Sequence, residues 1–162
     1  GQILPHLLMA AELRAVICSG APRGRHQTFA LLHERAPDAA WLPRDEALGE
    51  LAARYFRSHG PATRRDLQWW SSLTAADVRR GIEIAGAELE SFDTGGRTYW
   101  HDPSLPPARK AARAEHRVHQ FDEYLVGYTE SRGIADIAGM LPRGETLIRA
   151  VLRDGQVVGR WR

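Results

Sequence analysis

Between residues 45 and 101 the hydrophobic period of the chain changes once, from helical to strand-like, and this change limits the possible folds more than any other feature. Leu48, Leu51, Ala52, Tyr55 and Phe56 form an apolar stripe at helical spacing across residues 46–58. Asp45 is expected to cap this helix, and His59-Gly60-Pro61 to end it with Gly60 at the C-cap. Thr63 is placed to cap a second helix whose inner face holds Leu67 and Trp70. The link Ser71-Ser72-Leu73-Thr74 follows. Thr74 is expected to cap a third helix that turns Val78, Ile82 and Ala85 inward, with Asp77 where the acid of a capping box belongs. Residues 87–92 and 97–101 then alternate as strands around Asp93-Thr94-Gly95-Gly96, whose glycines supply the positive φ of a tight hairpin.

A short link between two helices is what a helix-turn-helix requires, and a ribbon after the third helix makes it a winged one. The expected class is therefore α+β, with a complete winged helix at 45–102. Residues 1–36 echo its second half: Ile3, Leu4, Leu7, Leu8 and Ala11 at helical spacing, a short β-prone run at 15–18, the turn cluster 19–24 and a returning strand at 28–33. They read as the last helix and wing of a partial winged helix, so the chain is expected to be a piece of a longer protein or its N-terminal segment to pack in an unusual way. Residues 37–44, with two prolines, read as a linker. Residues 103–162 read as a loop, a short helix at about 108–117 and a β-rich element, with a hairpin of 147–152 and 156–161 around Asp154-Gly155.

Bulk charge says little, since the net charge is only +2, but its type is informative: 21 of the 22 basic residues are arginine, with Lys110 the exception. Guanidinium forks suit phosphate oxygens and guanine edges, and a GC-rich genome would produce the same bias. The single cysteine, Cys18, excludes an internal disulfide and reads as a small core residue. No apolar run approaches the ~20 residues of a membrane span. Glu12 and Arg14 interrupt the N-terminal apolar run, so it does not read as a signal peptide, and a cytoplasmic protein is expected.

Several stretches occur together in one order. His59-Gly60-Pro61-Ala62-Thr63 leads into Asp66 and Trp69-Trp70; Phe121-Asp122-Glu123-Tyr124-Leu125 follows with Gly127-Tyr128; and the end reads Asp154-Gly155-Gln156-Val157-Val158-Gly159-Arg160-Trp161. Residues 13–20, Arg23-Gly24-Arg25 and 28–35 fit the same pattern. The chain thereby resembles the bacterial winged helix DNA-binding domain family, whose characterised members are DNA glycosylases that unhook interstrand crosslinks and remove alkylated purines. The resemblance covers nearly the whole chain. It implies tandem winged helices, then a β-rich part, with double-stranded DNA as partner. It also implies a catalytic signature, Gln-apolar-Gln or Gln-apolar-Asp, upstream of Gly1. Gln120-Phe121-Asp122 matches that spacing but overlaps the family's separate Phe-Asp-x-x-Leu motif, so it is not taken as catalytic. Glu130-Ser131-Arg132 departs from the Asp-Arg pair usual after Gly-Tyr.

Arg79 and Arg80 face outward on the third helix with Glu83, where they would reach phosphates or base edges. Arg64 and Arg65 open the second helix, whose free backbone N–H groups also favour a phosphate; a surface pair balancing Asp66 is the alternative. Arg97 follows the second wing turn, and Arg23 and Arg25, with His26, sit in the first. Trp70 is expected in the core and Trp69 over the wing or an adjoining domain, with base stacking as the alternative; Trp100 and Trp161 are expected in the core. His116 and His119 have metal-ligand spacing on a helix, but no third ligand is evident and no metal site is assigned. Asp122 is expected to cap a helix or to pair with an arginine such as Arg132. No Ser/His/Asp order, Walker loop or dinucleotide fingerprint is present, and neither a cofactor nor a catalytic residue is assigned. Three functions remain open: a duplex-binding module, the C-terminal part of a DNA glycosylase, and a winged-helix scaffold for protein contact.

Overall fold

A computed structural model describes residues 3–106, 114–141 and 148–161. They form two compact units, 1–41 and 42–162. In the first, helix α1 (Ile3–Leu13) is followed by the antiparallel pair β1 (Ile17–Ser19) and β2 (Phe29–Leu31) and by one turn of helix, α2 (Leu32–Arg35). Residues 32 and 33, expected to prolong the returning strand, belong to α2 instead. No described residue of this unit is fully buried, and Ile3, Leu4, Leu7 and Leu13 of α1 are exposed. Cys18, expected in a core, is half-buried, because two three-residue strands cannot close one.

The second unit opens with α3 (Arg44–His59), α4 (Arg64–Ser71) and α5 (Ala75–Ala85). Proline at the α3 N-cap makes no side-chain cap, so Asp45 lies inside the first turn rather than capping it. Gly60 does close α3, its N–H donating to the Phe56 carbonyl. Thr63 caps α4 through a full capping box with Asp66, and the Thr74 hydroxyl accepts from Asp77 N–H at the start of α5. Ala52, Tyr55, Phe56, Leu67, Val78 and Ile82 meet in the core, as the helical stripes predict. Trp100 is half-buried against it. Trp70, expected inside, lies at its rim, 38% exposed, its ring tilted against Tyr55 and His59.

A turn of 3-10 helix, Gly86–Glu88, occupies the place expected for the start of a strand. The ribbon itself is β3 (Glu90–Thr94) and β4 (Arg97–His101), joined by Gly95-Gly96 at φ +57° and +73°. It is tied to the helices by a two-bond bridge between Ala62 and Trp100.

Beyond it, β5 (Glu115–Val118), β6 (Ala150–Arg153) and β7 (Gln156–Arg160) form an antiparallel sheet in that order. Of the helix expected at 108–117, residues 115–117 are corrected to strand by β5, and residues 107–113 lie outside the described ones. His116 thus stands on a strand and His119 beyond its end, so their supposed helical face does not exist. The β6–β7 turn, Asp154-Gly155, has positive φ at both positions, as a tight two-residue hairpin demands. Leu125 of α6 (Glu123–Val126), Ile148, Ala150, Leu152 and Val157 make a second core, with Asp122 capping α6 through the Tyr124 N–H. Trp161 is half-buried, its indole N–H donating to the Val118 carbonyl. None of the described helices is long and apolar enough to cross a membrane.

Helices α3 and α5 cross at glycine: a Cβ on Gly81 would lie 2.7 Å from the Leu48 carbonyl oxygen. That atom is backbone and cannot swing aside, so Gly81→Ala should destabilise the second unit by about 1–3 kcal/mol, read as a lowered denaturant midpoint.

Candidate nucleic-acid interface

The Thr63 cap fixes where α4 begins and so places Arg64 and Arg65 in its first turn, where unbonded N–H groups and the helix dipole favour an anion. Val78 and Ile82 anchor α5 in the core, which leaves Arg79 on the outer side. The three arginines converge there. Arg64, Arg65 and Arg79 line one groove of 230 Å³ between α4 and α5, with Gln68, Ala75 and Val78 as its floor and walls. Among the described residues, Arg64 and Arg79 have no carboxylate partner, while Arg65 Nη1 lies 3.3 Å from Glu130 Oε1.

The other expected arginines are placed differently. Arg80 turns back to the first turn of α3, where its Nε and Nη2 donate to Asp45 Oδ2 at 3.0 and 2.6 Å. Its charge is thus paired within the protein, whereas Arg79 has no such partner among the described residues. Arg97, at the start of β4, directs Nη1 toward the Glu130 carbonyl at 3.4 Å. Arg23 and Arg25 are exposed in the β1–β2 turn of the first unit, around Gly24 at φ +59°.

Asp66 holds the floor beneath α4. It is fully buried, and its two oxygens accept from the Thr63 N–H and hydroxyl, from the N–H groups of Thr129, Glu130 and Ser131, and from the Ser131 hydroxyl. Burial alone would raise its pKa, but the Ser131 hydroxyl and the backbone N–H groups outweigh it and hold the carboxyl below its usual range. The alternative in which Asp66 balances Arg64 and Arg65 at the surface is therefore corrected: six uncharged donors stabilise its charge inside. Trp69, next along α4, donates its indole N–H to the Val126 carbonyl and stays 50% exposed.

A separate cavity of 350 Å³ lies beside the end of α3, lined by His59, Tyr124, Tyr128, Arg132 and Gln156 among others. His59 is stacked on Tyr55 and faces Glu123 Oε2 at 3.1 Å, the same oxygen that accepts from the Trp70 indole. Tyr124 and Tyr128 have hydroxyl protons held more tightly than usual by burial, Tyr128 with a pKa raised to about 12. These hydroxyls donate to the carbonyls of Gly155 and His59, so they act as fixed donors rather than as bases.

The profile of the family described as "DNA glycosylase AlkZ-like" matches residues 1–162. The chain belongs to the AlkZ-like DNA glycosylase family. Among solved structures it is similar to the Streptomyces sahachiroi DNA glycosylase AlkZ, at 23% identity and a TM-score of 0.71 over 99% of this chain. At that identity the likeness is one of fold, and the chain spans about half, 47%, of that protein's length. No curated protein sequence matches.

Within this AlkZ-like chain, the groove between α4 and α5 was legible as two separate arginine pairs but not as one site. Nothing in the spacing separates Arg79 from Arg80. Only the partner on α3 does so, and Asp45 had been assigned a capping role. The His59–Glu123–Trp70 cluster has no local signal of its own, since His59-Gly60-Pro61 reads as a helix stop and the 121–125 run as a family motif.

Asp66 makes the unit acid-sensitive. Its folded pKa is depressed, so its contribution is complete above the unfolded value of roughly 3.9 and is lost as pH falls through the folded one. Asp66→Asn should cost about 2–3 kcal/mol at neutral pH. In urea unfolding at stepped pH, the gap between variant and parent should narrow below pH ~4.

Proposed function

We propose that residues 44–101 form a winged helix-turn-helix that holds double-stranded DNA by phosphate contacts from the groove between α4 and α5. The observation that carries this reading is the convergence of Arg64, Arg65 and Arg79 on one groove at a capped helix N-terminus, two of them without a carboxylate partner among the described residues. A phosphate there would meet cations and backbone N–H groups together. Arg97 at the tip of the ribbon, and Arg23 and Arg25 in the first unit, are proposed as additional backbone contacts; Arg80 is left out because Asp45 already neutralises it. Family membership supports DNA as the partner.

Arg64→Ala combined with Arg79→Ala should weaken binding to a mixed-sequence duplex and flatten its log–log salt dependence by about 2, roughly one unit per lost phosphate contact. Arg80→Ala should leave that slope unchanged. Fluorescence anisotropy across a salt series reads both. A parent affinity insensitive to salt would reject the DNA reading and leave protein contact as the role of the fold.

A second reading, base excision, is favoured by the family match along the whole chain. The longer protein is proposed to act as a DNA glycosylase, with residues 1–162 supplying DNA-holding surface and the catalytic signature elsewhere. Residues 1–162 alone should then release no base from alkylated duplex, as followed by chromatography of the freed purines; release by this chain would place the chemistry within it.

A further inference from the structure

Beside the arginine groove lies a second depression, of 580 Å³, lined by Arg65, Gln68, Trp69, Ser72, Leu73 and Thr129. Arg65 and Gln68 line both, so the two are contiguous across α4. Trp69 is the distinctive residue. Its indole nitrogen is fixed by the Val126 carbonyl at 2.9 Å, yet the residue is half exposed to solvent. An aromatic ring that is both held in place and uncovered is a stacking platform whose side-chain entropy has already been lost. Gln68 adds a side-chain donor and acceptor, and Arg65 a cation, at the same wall.

A paired base cannot offer its face to such a ring, because its neighbours in the duplex already cover it. An unpaired one can, and aromatic stacking beside a cationic track is how proteins hold unpaired strands. We propose that this depression binds one non-base-paired nucleotide, its base stacked on Trp69 and its phosphate directed into the groove of Arg64 and Arg79. The inference rests on the duplex-binding reading and deepens it: the chain holds DNA at a place where pairing is interrupted.

The test uses residues 1–162 and two labelled oligonucleotides of equal charge, one fully paired and one carrying a single unpaired nucleotide. The interrupted duplex should bind about tenfold more tightly. Trp69→Leu should abolish that preference while leaving affinity for the paired duplex in place, and Trp69→Phe should keep most of it. Tryptophan emission supplies a readout independent of the Leu variant: the interrupted duplex should quench it in the parent, and less so in Trp69→Phe. Equal affinity for the two substrates, with duplex binding intact and sensitive to Arg64→Ala and Arg79→Ala, would overturn the inference and leave the duplex reading standing. A preference that survives Trp69→Leu, or quenching unchanged in Trp69→Phe, would also overturn it. Failure to bind either substrate would remove both.

Discussion

The buried carboxylate of Asp66 is the constraint on which the second unit is built. It closes the capping box at the start of α4 and gathers the N–H groups of three successive residues, Thr129 to Ser131, from the far end of the chain. A charge taken out of water is tolerable only when its lone pairs are fully used, and here they are. One side chain thus sets where α4 begins and brings the loop after α6 beneath it. The arginines of the first turn, the Trp69 ring against Val126 and the shared wall of the two depressions all follow from that placement.

Charge on this surface is sorted by local pairing rather than by composition. Arg44, Arg54, Arg57, Arg80 and Arg153 each face a carboxylate of the protein itself. The exposed pairs among these add little stability, about 0–1 kcal/mol each, but all of them determine which cations remain available to a polyanion. A net charge of +2 therefore conceals a local excess between α4 and α5. For the same reason the excess of arginine over lysine could not by itself locate a site.

Much of the architecture was legible because it rests on local rules. The three helices, the Thr63 and Thr74 caps, the Gly60 stop and the Gly95-Gly96 and Asp154-Gly155 turns are signals that need only a few neighbouring residues. What escaped depends on partners far along the chain. Asp66 reads as an ordinary acid beside two arginines until Ser131 is brought to it, and Arg80 looks as free as Arg79 until Asp45 is placed opposite. The end of the helix expected at 108–117 failed similarly. Residues 115–118 are committed to a strand by pairing with β6, a tertiary demand that the local sequence does not show.

The two cores of the second unit are joined over a very short stretch of chain. Leu125 is buried in one, and Tyr128, three positions on, packs against the other, with Gly127 seated between them and accepting a hydrogen bond from Tyr55 through its carbonyl. Three residues cannot act as a flexible tether. A displacement of the sheet-side cluster is therefore carried to the helical one with little slack between them.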